Sequence, residues 1–431
     1  MHNEVKVCGT PEGYDAKIIL NELNHQQNSV VHVARDDKRM RAMVDALKFF
    51  NPDLEVFEFP SWDCLPYDRV SPNMEISSAR MAILSKFADN ATKNFVVLTT
   101  LNAVLQKVPC RSVLRDYAFK AQVGQNINDK ILREFLVRMG FTKSSTVREA
   151  GEYAIRGGII DIFPPGYSNP VRLDLFGTVL DGARLFDPET QLTIKKLNEI
   201  ELAPVSEVVI DEFSIKKFRQ SYRAQFGSTL TNDPLYEAVS NGRKYQGLEH
   251  WLPFFYEELD TVFSYFPTAT ITMYNNLDAD LVSRCKLVSD QYEARAFAND
   301  NKPTKDYAYK PIRPSALYLD ETEWAKLIET RRSMIFNPLP QPLGPNIVDS
   351  GGRIGRNFAP ERQSDNLSLF SSLADHLQKR LKHGPVLIAS YSEGSLERLS
   401  GLLKDEGLHQ PVTVSNWSMV TKHLVYMTVW P

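Results

Sequence analysis

A chain of 431 residues with 43% hydrophobic and 24% charged residues has the composition of soluble globular protein and the length of roughly two to four domains. The formal net charge of −3 gives no overall electrostatic basis for binding nucleic acid and leaves only local basic patches. Cys8, Cys64, Cys110 and Cys285 are dispersed with no CxxC pair, which argues against a disulfide framework or a zinc site; the opening MHNEVKVCG lacks a signal peptide's apolar stretch, and no apolar run is long enough to span a bilayer, so a cytoplasmic protein with no membrane partner is expected.

Residues 5–9 (VKVCG) read as a short strand, followed by a turn and a helix from about Asp15 with Ile18, Ile19 and Leu23 inward. VVHVA at 30–34 is a buried strand, and Asp36 is placed to cap a helix carrying Met40, Met43, Val44 and Leu47 at helical spacing. Residues 54–59 alternate as a strand, 75–87 read as a helix, and FVVLT at 95–99 as another buried strand. Alternating strands and helices predict a parallel sheet covered by helices, the layout of a RecA-like nucleotide-binding core. Such a core carries G-x-x-x-x-G-K-[ST] after its first strand, where amides cradle phosphates. With Gly9 as the first glycine, Thr10, Pro11, Glu12 and Gly13 fill the variable places, and Tyr14, Asp15 and Ala16 stand where Gly, Lys and Ser/Thr belong. A carboxylate beside a triphosphate is repelled by on the order of a few kcal/mol, and Ala16 has no hydroxyl for magnesium, so either the loop is degenerate or it was never a phosphate loop.

The pattern changes at about Tyr117. Asn128 can cap a helix with Ile131, Leu132, Phe135, Leu136 and Met139 inward, and Gly140 can stop it. Two apolar runs follow, 154–163 and Val171–Phe176, separated by Pro-Pro-Gly-Tyr-Ser-Asn-Pro, which predicts a hairpin with a long loop. Alternation along the second run puts Val171, Leu173 and Leu175 on one face and Arg172, Asp174 and Phe176 on the other. If the aliphatic face covers a core, a guanidinium and a phenyl ring are presented together to solvent, a pairing that interface hot spots favour. The same pattern fits a satellite core residue, Phe176, beside a solvated Arg172–Asp174 ion pair. A helix plus antiparallel strands to about Pro204, between two α/β stretches, predicts an inserted α+β domain.

The α/β pattern returns near Val208, with helical periodicity over 215–226 and a strand over 269–273. Residues 337–366 have the Pro, Gly and polar content of a linker. Beyond it, a helix over 367–381, a strand over 385–389, a Ser392-capped helix to Leu403 and a last strand-like run, HLVYMTVW, predict a third, small α/β domain; its abrupt end suggests a fragment. His376 and His383 have no third partner in view and predict no metal site, and no Ser/His/Asp or Cys/His constellation stands out.

GEYA-x-RG from Gly151, D-x-FP from Asp161, RLD-x-F from Arg172 to Phe176 and the FDPETQ turn at 186–191 resemble the second domain of the bacterial transcription-repair coupling factors, the Mfd family, and more distantly that of the excision-repair protein UvrB. WD-x-LPYD from Trp62, the following SSAR, GLEHWLPFFY at 247–256 and FSYFP at 263–267 extend the resemblance over nearly the whole chain. It implies a degenerate RecA-like core in two segments (1–115 and 205–336), an inserted UvrB-like domain (116–204), a linker (337–366) and a small third domain (367–431), together the N-terminal portion of the family. It implies docking on UvrA, the damage-recognition ATPase, through Arg156, Arg172 and Phe176. In UvrB, FSYFP precedes the strand that carries the acidic magnesium and water ligands; here Asn275 and Asn276 stand there, with Asp278 and Asp280 displaced. Both halves of an ATP site are thus expected to be missing, and no cofactor is expected in this fragment, with ATP and magnesium in the parent's motor. The implied role is recruitment of excision repair by an ATP-dependent translocase that displaces stalled RNA polymerase. RNA polymerase and DNA would be met through parts absent here, and the parent's C-terminal domains through intramolecular contact. A UvrB-type ATPase and helicase, or an autoinhibitory architectural module, are the alternative readings.

Overall fold

The computed structural model of the chain describes residues 4–26, 28–89, 94–227, 233–300, 309–363 and 368–430. Four strands open the chain: β1 (Glu4–Cys8), β2 (Val30–Ala34), β3 (Glu55–Phe59) and β4 (Phe95–Thr100). A short β5 (Val108–Pro109) leads into β6 (Phe119–Gln122), β7 (Thr142–Lys143), β8 (Glu152–Arg156), β9 (Ile159–Ile162), β10 (Val171–Phe176), β11 (Val179–Phe186), β12 (Thr193–Leu197) and β13 (Glu199–Leu202). After them come β14 (Leu259–Asp260), β15 (Thr270–Tyr274), β16 (Ser333–Asn337) and β17 (Ile347–Asp349), then β18 (Val386–Ser390), β19 (Val412–Thr413) and β20 (Val425–Val429).

The largest sheet has seven strands in the order β17-β1-β16-β15-β2-β4-β3, every neighbouring pair parallel. Strands from both ends of the chain therefore interleave, and the stretch carrying β6–β13 is an excursion between them. Runs such as VVHVA and FVVLTT are buried throughout because helices cover both faces. On one face Ile19, Leu20 and Leu23 of helix Tyr14–Gln26 and Met40, Met43 and Leu47 of helix Asp37–Phe50 pack with Val7, Val96, Leu98 and Phe336. On the other, Met81 and Leu84 of helix Met74–Lys86, Leu281 of helix Leu277–Asp300 and Trp324 pack with Val31, Val33, Val97 and Ile271. Asp36 caps its helix by accepting the Arg39 amide at 2.8 Å.

The WD-x-LPYD and GLEHWLPFFY segments meet on a second, aromatic core. Trp62 and Tyr67 flank His250, with ring centroids 5.6 and 6.4 Å away. Arg80 of SSAR is fully buried and donates to both carboxylate oxygens of Glu207 at 2.6 and 3.2 Å, while the Trp62 indole donates to the same carboxylate at 2.9 Å. These motif residues thereby join residues 62–80 to residues 207–250.

In the excursion, β12-β11-β10-β9-β8-β7 form a six-stranded sheet whose inner face packs on helix Asp129–Arg138 through Leu132, Phe135, Leu136, Tyr153, Ile160, Val171, Leu173 and Leu180. Asn128 caps that helix as its position predicts, but Ile131, expected inward, is 56% exposed. The expected single run over 154–163 is two strands, because Gly157 and Gly158 fold it back. Gly157 has φ +63°, and a Cβ on Gly158 would sit 2.6 Å from the Leu175 carbonyl oxygen. Residues 368–430 add the parallel sheet β18-β20-β19 with helices Leu369–Leu381 and Glu393–Asp405; the expected start of the first helix at Leu367 lies outside the described residues. The stretch with a linker's composition is not detached from the core: Ile347–Asp349 pairs with Lys6, Val7 and Cys8 as the sheet's edge strand.

Candidate functional site

The outer face of the six-stranded sheet carries the sequence-predicted residues. Directly paired positions place Ala154, Asp161, Arg172, Arg184 and Lys196 in one row across β8 to β12. The next row holds Arg156, Ile159, Asp174 and Gly182. Phe176 and Val179 close the β10–β11 hairpin around Gly177 and Thr178, with Gly177 at φ +63°, as two-residue turns of this kind require. Phe176 is 82% exposed at this rim.

The alternation along β10 holds: Val171 and Leu173 are buried, and Arg172, Asp174 and Phe176 share the opposite face. The expectation that the guanidinium lies as open as the phenyl ring is corrected. Arg172 is only 16% exposed. Its Nε and one Nη2 hydrogen donate to the Asp161 carboxylate at 2.6 and 2.9 Å, the other Nη2 hydrogen reaches Gln191 Oε1 at 3.0 Å, and the plane lies 4.4 Å over the Phe186 ring. Nor is Arg172 paired with Asp174, which accepts from Arg184 at 3.0 Å instead. The hydrogen bonds from Arg172 to Asp161 raise the Arg172 pKa further. Its Nη1 has no acceptor among the described residues, so the group is locked with two N–H bonds unused.

Arg156 is half exposed, donates to the Ser145 carbonyl at 2.8 Å and lies 4.0 Å from the Asp161 carboxylate. Asp161 itself is 1% exposed and so ties both arginines to one point. The FDPETQ turn explains itself here. Asp187 accepts the amides of Glu189 and Thr190 at 3.1 and 2.7 Å, which holds its carboxyl below the usual range and lets Gln191, at φ +63°, reach Arg172. Phe186 of the same motif is the ring beneath the guanidinium.

Sequence reasoning missed Asp161, Ile159, Arg184 and Lys196. Cations directly opposite one another on neighbouring strands repel, and here Arg172, Arg184 and Lys196 stand in line with only Asp161 and Asp174 among them. With Arg156 these two rows carry four cations against two carboxylates, with Glu152 of β8 one row farther on the same face, beside exposed Phe176 and the partly exposed Ile159. Cross-strand register, invisible without the strand pairing, is the signal that assembles them.

The loop at Gly9–Ala16 sits at the carboxyl end of β1, with Asn275 and Asn276 at the carboxyl end of β15 in the same sheet. Gly9 and Gly13 have φ of +68° and +88°. The Asp15 carboxylate, buried and shifted upward by that burial against the pull of Arg39, accepts the amides of Gly13 and Ala16 at 3.0 and 2.9 Å. The amides of Gly9 and Thr10 go to the carbonyls of Leu339 and Asn337, and those of Tyr14 and Asp15 to Pro11. The amides of Gly9, Thr10, Gly13, Tyr14, Asp15 and Ala16 are thus occupied internally rather than free to cradle a phosphate. Across the sheet Asn275 donates to Asn276 at 3.2 Å, and Asp280 accepts from the Tyr274 hydroxyl at 2.7 Å. Among the described residues no group of three His, Cys, Asp or Glu could hold a metal ion, and no helix is long and apolar enough to cross a membrane.

A largely antiparallel sheet on one helix, set between two parts of a parallel α/β sheet, thus presents a face with a row of cations and one exposed ring. Residues 119–208 match the family model of the UvrB interaction domain. Over most of its length the chain is similar to the transcription-repair-coupling factors: 31% identical over 314 residues to that of Rickettsia bellii, covering 73% of this chain and 28% of the relative. It is 28% identical over 404 residues to that of Escherichia coli, covering 93% and 34%, and 27% identical over 380 residues to that of Rickettsia typhi, covering 88% and 33%. The chain spans about a third of the length of these relatives.

Proposed function

We propose that this chain recruits UvrA in transcription-coupled nucleotide excision repair, through the outer face of β8 to β12. The single observation that carries the reading is the exposed Phe176 on the same strand face as Arg172, whose guanidinium is held rigid with one edge unused. A side chain already fixed loses little freedom on binding. The exposed ring adds apolar burial of roughly 1.5–3 kcal/mol, and the surplus of cations suits an acidic partner surface. Arg156, beside the same Asp161, is the third docking residue.

The body that carries this face is, in our reading, a RecA-like core in two segments, 1–115 and 205–336, that has lost nucleotide chemistry. Internal occupation of most of the loop amides, the carboxylate of Asp15 in place of a lysine, and Asn275 and Asn276 at the second strand end support this reading. They disfavour a UvrB-type ATPase, and no nucleotide or metal cofactor is proposed for this chain. Translocation with ATP and magnesium, and contacts with DNA and RNA polymerase, are assigned to other parts of such a factor. Titration of UvrA into Arg172→Ala/Phe176→Ala tests the docking face, and retained wild-type affinity would remove it.

A further inference from the structure

We propose that the loop after β1 is an intramolecular dock, which receives the chain's own segment 337–353 and Trp430 and thereby fixes residues 368–430 against the seven-stranded sheet. The inference does not rest on the UvrA reading.

The segment is bonded to the loop near both of its ends. Gly9 and Thr10 donate their amides to Leu339 and Asn337, and the Thr10 hydroxyl adds a bond of 2.9 Å to the Asn337 carbonyl. Farther on, the Ser350 amide donates to the Cys8 carbonyl at 2.9 Å, its hydroxyl lies 2.9 and 2.5 Å from the carbonyl oxygens of Cys8 and Gly9, and its own carbonyl accepts from the Tyr14 hydroxyl at 2.9 Å. Between these anchors two glycines meet backbone to backbone. A Cβ on Gly9 would lie 2.7 Å from the Gly352 carbonyl oxygen, and one on Gly352 would lie 2.1 Å from that of Gly9. Neither position has room for any side chain, so the fit needs glycine on both sides of the contact.

Gly13 extends the contact to the far end of the chain. A Cβ there would lie 2.9 Å from Cζ2 of Trp430. Trp430 donates its amide to Ser390 at the end of β18, and its ring lies edge-on to Phe49, 5.5 Å between centroids. Trp417 packs at 5.5 Å on Phe50 and receives the Lys17 ammonium 4.9 Å over its ring. Phe49 and Phe50 end helix Asp37–Phe50, and Lys17 lies in the first turns of helix Tyr14–Gln26, so the small sheet rests on the elements that surround the loop. Two glycines at positive φ, a carboxylate that accepts the loop's own amides, and the amides of Gly9 and Thr10 given to the segment are features that suit a backbone dock.

Hydrogen exchange read by mass spectrometry on the whole chain tests this. In the wild type, residues 347–353 exchange at least about tenfold more slowly than the open stretch 354–357, which has no strand or helix. Trp430→Ala and, separately, Ser350→Ala raise exchange at 347–353 and at residues 9–16 together by about tenfold while β2 and β4 keep their protection. Millimolar ATP or pyrophosphate leaves these rates unchanged. Wild-type exchange at 347–353 as fast as at 354–357 would overturn the dock without any variant. So would protection that ATP or pyrophosphate abolishes, because the loop would then be a ligand site with a displaceable strap.

Discussion

Asp161 and Arg172 stand directly opposite each other on β9 and β10 and are joined by two hydrogen bonds of 2.6 and 2.9 Å, the carboxylate buried and the guanidinium over the Phe186 ring. The pair turns a long, freely rotating side chain into a fixed part of a surface. A bidentate pair with one member inside is costly to break from one side, because the remaining charge loses its partner. Asp161→Asn keeps the shape but removes the charge that Arg172 and Arg156 share. The expected loss is about 2 kcal/mol of stability, the scale of hydrogen bonds to charged groups, measured by urea unfolding. UvrA affinity is expected to fall by about tenfold even where the protein is fully folded. Unchanged affinity in the folded variant would mean that Asp161 does not position the docking arginines.

If the proposed face meets UvrA, the row of cations bears on the rate at which it does so. Lys196 is exposed and makes no ion pair among the described residues, whereas Arg172 and Arg184 are paired. Charges at a rim act mainly on association rate and its dependence on salt. Lys196→Ala is expected to slow UvrA association about two- to fivefold at low salt, to flatten its ionic-strength dependence, and to leave the dissociation rate within twofold. Surface plasmon resonance at two salt concentrations reads all three.

Two buried histidines set the acid limit of the body. His32 on β2 lies 2.9 Å from the Thr272 hydroxyl on β15, and burial, with Arg39 nearby, lowers its pKa to about 3. His250, between Trp62 and Tyr67, is lowered to about 4, again chiefly by burial. Both ring systems are neutral when folded and take up a proton near the ordinary value of 6.5 when unfolded. The unfolded state thus binds more protons below that pH, and stability is full above about 6.5 and is lost as pH falls toward 4 and then 3. The raised carboxyls of Asp15 and Glu249 act in the opposite sense, since they favour the protonated form in the folded state. The expected net result is a midpoint of thermal unfolding that falls steadily from pH 7 to pH 5. His250→Phe, which fills the aromatic nest without a titrating group, is expected to lessen that slope.

Much of this was legible in the sequence, and the omissions have physical causes. Alternation along β10 placed Arg172, Asp174 and Phe176 together because one strand's period is local information. The Asn128 and Asp36 caps were legible for the same reason. The partners of Arg172 were not, since Asp161 and Gln191 reach it through strand register and the conformation of a turn, neither of which periodicity encodes. The fold-back at Gly157 and Gly158 was hidden inside an apolar run, and Ile131 escaped to the surface although its spacing was helical. Residues 337–366 have a linker's composition, yet Gly352, one of the glycines that suggested it, is what lets this segment lie against the backbone of Gly9.

The docking face is tested most directly by calorimetric titration of UvrA into the wild-type chain and into Arg172→Ala/Phe176→Ala. Phe176 is too exposed for its removal to affect folding, and a matched thermal midpoint for the single Phe176→Ala variant checks that. Losing the ring alone is expected to weaken binding by about 10- to 100-fold, from roughly 1.5–3 kcal/mol of apolar burial. The double variant is expected to show no heat of binding while keeping a cooperative unfolding transition. Wild-type affinity in a folded double variant would contradict the account.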